Sequence, residues 1–143
     1  MQDNGGISLE EDYPYEAGTN ECWAEYWGPV SVSQIYHVQA KSDEQLMAAI
    51  AQGVTSVTVD AESTYFRNYS SGVVTSAECG TKLDHAIAAV GYGTTDDGID
   101  YYLVRNSWGA AWGDNGYIKI GRGGSDEWGV CGILEISDWA QTN

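Results

Sequence analysis

Apolar and polar positions alternate in short bursts along most of this chain, and one longer stretch shifts clearly to helical spacing. In "VSVSQIYHV", residues 30–38, apolar residues recur near every second position, which predicts a strand. The next stretch, "SDEQLMAAIAQG", shifts to helical spacing, with Leu46, Met47 and Ile50 as its stripe. Ser42 with Gln45 has the form of a capping box, and Gly53 is the expected stop. Strand spacing returns in "VTSVTVD" (54–60), followed by a helical turn around Tyr65, Phe66 and Tyr69.

The later segments repeat the strand signal. "HAIAAVGYG" (85–93) is too apolar for a half-exposed strand and predicts burial on both faces. "TTDDG" (94–98) is a turn, "IDYYLVRN" (99–106) a partner strand, and "GYIKIGR" (116–122) a third. "CGILEIS" (131–137) is expected to close the series as a strand. Residues 1–29 differ, being irregular and rich in turn residues, with Gly5-Gly6, Pro14, Gly18 and the Gly28-Pro29 breaker. From about residue 30 onward the pattern predicts a mainly antiparallel β domain with one or two short helices.

Composition narrows the function. Six basic residues against 21 acidic ones give a formal charge of −15, so phosphate-rich partners, nucleic acid and anionic membranes alike, are excluded. Two histidines without suitable Cys or Glu spacing argue against a metal, and no cofactor is expected. Three cysteines, at 22, 79 and 131, leave an odd thiol.

The candidate chemistry sits around His85 and Asn106. Their midpoint, 95.5, falls inside the 94–98 turn, so a hairpin sets them opposite or nearly opposite each other. Strands about 4.8 Å apart let an imidazole and a carboxamide share a hydrogen bond. An asparagine oxygen on one ring nitrogen fixes the tautomer and aims the other at a nucleophile. A lone histidine in an apolar strand is ordinarily a satisfied core residue. That bland reading leaves "NSWGAAWGDNGY" (106–117) unexplained, because a loop dense in Gly and Trp is an unusual connector. His37 has no carboxylate or cysteine near it in sequence and reads as structural or exposed.

"LDHAIAAVGYG", "YYLVRNSWGAAWGDNGYIKI", "GVCGI" and the opening "NGGISLEEDYPY" together resemble the papain-like cysteine proteases, the family of papain and cathepsin L. The resemblance runs over essentially the whole chain. It implies an α+β, papain-like fold. Residues 1–30 would be the tail of a first, helical lobe, and 31–143 a β-rich, barrel-like second lobe. It makes His85 the general base and Asn106 its orienting residue. Trp108 shields their hydrogen bond, and Trp112 lines the leaving-group side of the cleft. Ala61, Leu83 and Ile136 fall at the pocket for the second residue on the acyl side, predicting hydrophobic preference, and Asp84 lies near the substrate backbone. The face carrying His85 and Trp112 is expected to be apolar.

Cys22 does not fit the nucleophile. It lies only 63 residues before His85 and lacks the C-G-[SA]-C-[WY] context, and any helix after it would run only from Trp23 to Trp27. The resemblance instead makes Cys22 half of an inter-segment disulfide, and it pairs Cys79 with Cys131. The nucleophile is then expected on an upstream segment, this chain being a C-terminal portion that is inactive alone. Expected partners are a peptide or protein substrate, the lobe bearing the catalytic Cys, and a cystatin-like inhibitor, in a lysosomal, vacuolar or extracellular setting. "NYS" (68–70) makes Asn68 a glycosylation candidate. The rival reading is a homologue with a replaced nucleophile, acting as a peptide-binding or structural module.

Overall fold

The computed structural model describes residues 6–23, 28–75 and 77–142. The elements run β1 (Val32–His37), α1 (Asp43–Gln52), β2 (Thr55–Val59), α2 (Thr64–Arg67), β3 (Val73–Val74), β4 (His85–Thr94), β5 (Asp100–Arg105), β6 (Tyr117–Gly121) and β7 (Ser137–Thr142). The chain divides into two compact units, His37–Trp139 and a smaller one formed by Met1–Tyr36 with Ala140–Asn143. The short helix expected after Cys22, from Trp23 to Trp27, lies outside the described residues apart from Trp23.

The larger unit is built on one sheet, ordered β7-β2-β4-β5-β6-β3. Every pairing in it is antiparallel except β3 with β6. Alternation puts one side chain in two on the covered face. Val57 faces Ile87, Ala89 faces Val104, Val104 faces Ile118, and Tyr102 faces Ile120. All are buried, and each of the larger aliphatic ones contributes about 1.5–3 kcal/mol.

Helix α1 lays Leu46, Ala49 and Ile50 into this core, with Met47 partly buried against it. Its start is set as the sequence implies, the Ser42 hydroxyl accepting the Gln45 N–H at 3.2 Å. Its end is different in kind from a left-handed glycine stop. Gly53 has φ 171, extended backbone that leads directly into β2. Beneath the helix, the Tyr102 hydroxyl donates to the Asp43 carboxylate at 2.5 Å. Burial and that carboxylate both push the Tyr102 phenol's pKa above its ordinary value.

Two expectations are corrected. β4 is buried on one face only. Ile87 and Ala89 are covered, while Ala86 is exposed and Ala88 and Val90 are half-buried. An apolar run rich in alanine signals small side chains as much as double burial. The segment 131–137 is no strand either. Gly129, Cys131 and Gly132 all have positive φ, of 72°, 59° and 75°. This left-handed backbone forms a tight turn and delays the last strand to Ser137.

The smaller unit carries little regular structure. Ile7 donates to the Val30 carbonyl at 2.8 Å, and a Cβ on Gly28 would lie 2.2 Å from the Ile7 carbonyl oxygen, so only glycine fits. Tyr13 packs against Trp23, the ring centroids 4.6 Å apart and the planes tilted by 40°. β1 lies beside the distal end of β7, where the Ser33 hydroxyl donates to the Gln141 carbonyl at 3.0 Å.

Candidate functional site

His85 opens β4 and is held from behind. It pairs with Val59 of β2, and the preceding Asp84 donates its N–H to the Val59 carbonyl at 3.1 Å. The Asp84 carboxylate accepts the Ala61 N–H at 2.8 Å. These bonds fasten the entry to β4 onto the exit from β2, leaving the imidazole little backbone freedom.

Asn106 arrives from β5, its N–H donated to the Gly116 carbonyl at 2.9 Å. The two side chains are not directly opposed. Ala88 pairs with Arg105, so continuing that register by one residue sets Ile87 opposite Asn106. The turn is centred later than the midpoint requires, since Thr94 pairs with Asp100. His85 is thus the diagonal neighbour, still within reach of a long side chain on the same face. His85 Nε2 and Asn106 Oδ1 lie 2.9 Å apart.

The chemistry of that bond is fixed by a third group. The Ser107 N–H also points at Asn106 Oδ1, at 2.7 Å. A backbone N–H can only donate, so this atom is the carboxamide oxygen, and His85 Nε2 must carry the proton. In the neutral ring the lone pair is then on Nδ1, and among the described residues no partner occupies it. Asn106 is buried, and its amide nitrogen has no hydrogen-bond partner among the described residues, so the oxygen is the working end.

Aromatic rings surround the pair. Trp108 lies almost parallel to the imidazole, 26° between planes and 5.2 Å between centroids. Phe66, fully buried on α2, stands edge-on to His85 and Trp108. Trp112 packs on Phe66 at 5.1 Å and on Trp108 at 5.4 Å, and its indole N–H donates to the Arg67 carbonyl at 3.1 Å. The loop carrying both tryptophans needs its glycines: a Cβ on Gly113, at φ 60°, would meet the Tyr117 carbonyl oxygen at 2.5 Å.

Beside the imidazole is an open groove of about 270 Å³, lined by Ala61, Glu62, Arg67, Asp84, His85 and Trp108. It is not the apolar face expected, because three charged side chains stand next to His85. Leu83 and Ile136 do not line it. Leu83 packs where a Cβ on Gly132 would lie 2.8 Å from it, and Ile136 is 51% exposed. Glu62 and Arg67 escaped the sequence reading, which placed Phe66 on a helical turn but not beside His85. The only signal for the two charged residues was the polar-aromatic run "ESTYFR".

Cys79 and Cys131 form a disulfide, both buried, with Cα atoms 4.7 Å apart. Next to it is Asp60, a buried carboxylate also missed in sequence. It accepts the Ser63 N–H at 3.3 Å and the Lys82 N–H at 3.0 Å, and its own N–H donates to the Cys131 carbonyl at 2.9 Å. A Cβ on Gly80, at φ 86°, would meet this carboxylate at 2.4 Å. Cys22 is an exposed free thiol in the smaller unit. Asn68 is exposed at the end of α2. His37 does have a carboxylate, that of Asp138, 2.5 Å from Nδ1, which strand pairing rather than sequence proximity supplies. Among the described residues no cluster could hold a metal, and no helix is long and apolar enough to cross a membrane.

The profile described as papain family cysteine protease matches residues 1–138. The chain is 46% identical to vignain of Ricinus communis over 135 residues, covering 93% of this chain and 37% of that relative. It is 45% identical to the cysteine endopeptidase RepA of Oryza sativa subsp. japonica, over 91% of this chain and 35% of RepA. Among solved structures, it matches the bromelain protease of Ananas comosus in complex with the E64 inhibitor at a TM-score of 0.91 and 35% identity, covering 98% of this chain and 65% of bromelain. The Carica candamarcensis cysteine protease CMS1MS2 with E-64 gives 0.87 and 40%, over 98% of this chain and 64% of that one. The chain thus spans well under half the length of these curated relatives. On the profile match and these identities, it belongs to the papain family of cysteine proteases.

Proposed function

We propose that this chain is the histidine-and-asparagine half of a papain-like cysteine endopeptidase, acting on peptide bonds with a thiolate supplied by another segment. The observation that carries the reading is the tautomer-fixed bond from His85 Nε2 to Asn106 Oδ1, with Nδ1 left open beside a groove. In this reading Nδ1 takes the thiol proton, giving a thiolate–imidazolium pair. The thiolate then attacks the scissile carbonyl, and the imidazolium returns the proton to the leaving amine. Asn106 keeps the ring aimed throughout. Trp108 screens the Asn106–His85 bond from water, which strengthens it in the lower local dielectric. Leu83 and Ile136 carry no charge, which supports a hydrophobic preference in the second acyl-side pocket, whereas Ala61 lines the groove beside His85 instead.

None of this chain's own cysteines suits the nucleophile's role. Two are consumed in the disulfide, and Cys22 sits in an irregular segment without the family's catalytic context. Cys22 is better read as half of a bridge to the segment bearing the nucleophile, with residues 1–30 belonging to that first lobe. Purified residues 1–143 alone should therefore cleave no peptide.

The test uses the complete protein and an epoxide inhibitor of the E-64 class. The epoxide should label one cysteine outside this chain and abolish peptide hydrolysis. His85→Ala should lower kcat/KM about 100- to 10,000-fold. Hydrolysis that survives His85→Ala unchanged would overturn the proposal, and an epoxide that labels no cysteine would overturn it in favour of a binding module.

A further inference from the structure

The groove beside His85 contains a cation that the proposed chemistry does not use. Its carboxylates already have partners. Asp84 accepts the Ala61 N–H at 2.8 Å, and Glu62 lies 3.9 Å from the Lys82 ammonium. Arg67 differs. Among the described residues its guanidinium forms no ion pair, although the chain carries 21 acidic residues against six basic ones.

The backbone of Arg67 is firmly placed. Its N–H donates to the Ser63 carbonyl at 2.9 Å, and its carbonyl accepts the Trp112 indole N–H at 3.1 Å. The preceding Phe66 is fully buried against both tryptophans. The guanidinium therefore swings from a fixed base beside the imidazole. Because His85 is the group that protonates the leaving amine, the groove next to it receives the leaving-group residue.

We propose that Arg67 is a specificity residue of the leaving-group subsite, selecting substrates whose first residue after the cut bears a carboxylate. The inference rests on the proteolytic reading above. A guanidinium presents planar paired donors to a carboxylate, a geometry that an amide or an ammonium cannot match. The carboxylate has two sources, an Asp or Glu side chain, or the chain terminus when the leaving group is a single residue.

The test measures kcat/KM of the complete enzyme on quenched peptides differing only after the cut, with Glu, Gln or Lys there. A parallel pair ends at that residue as free acid or amide. Wild type should favour Glu over Gln, or acid over amide, by about three- to fivefold, and which pair discriminates identifies the source. Arg67→Gln should bring the ratio to unity, and Arg67→Glu should reverse it in favour of Lys. Ratios within one variant cancel any loss of folded protein. A wild-type ratio of unity, or one that Arg67→Glu leaves unchanged, overturns the inference. An acyl-aminocoumarin amide, which has no residue after the cut, separates the two failures. If wild type cleaves it without discriminating between the peptides, only Arg67 is refuted; if wild type cleaves nothing, the proteolytic reading falls and this inference with it.

Discussion

Tyr102 holds its hydroxyl against Asp43 at the floor of the sheet, and that contact makes alkaline stability measurable at one residue. Its folded pKa is raised, by burial first and by the Asp43 hydrogen bond second. Below the unfolded phenol's pKa of about 10 both states keep the proton and stability is independent of it. Above that pH the unfolded chain ionises first, so stability falls as pH rises, by up to about 1.4 kcal/mol per pH unit. Tyr102→Phe should remove about one proton's worth of that slope in urea titrations between pH 10 and 12. Little of this was legible in sequence, since a tyrosine in a strand says nothing of which carboxylate it will meet. Asp60 makes the same point. Its burial depends on Ser63, Lys82 and Cys131 converging on one carboxylate, which no local pattern encodes. His85 and Asn106 were readable because their chemistry is local to one hairpin, even though the true register makes them diagonal and not opposite.

Among the elements, α1 was the most legible, because cap, stripe and stop lie within a dozen residues. Ser42→Ala should cost about 1 kcal/mol in chemical denaturation, by orphaning the Gln45 N–H. Strands β2, β5 and β6 followed from alternation, which is what a sheet with one covered face imposes. β7 was invisible. In "SDWAQT" only Ser137 is buried, and pairing with β2 rather than alternation holds the strand in place. The groove escaped for a related reason: Glu62 and Arg67 share one run, and with Asp84 and Trp108 they come from three separate stretches that only the tertiary packing unites.

For the larger unit as a whole, the Cys79–Cys131 bridge is the main covalent restraint, closing a sequence separation of 52 residues. A loop of that length predicts a loss of about 4 kcal/mol on reduction, measurable as the difference between oxidised and reduced unfolding midpoints. That the fold is papain-like was readable from motifs spread over the whole chain, whereas the charge in the groove was not. The bridge also determines what a cut can do. β4, β5, β6, His85 and Asn106 all lie inside the closed ring, as does the exposed turn at Asp96–Gly98. A single nick in that turn opens the ring but releases nothing: both pieces stay joined through sulfur. The hairpin that carries the imidazole and its carboxamide can therefore be severed at its tip and remain one molecule.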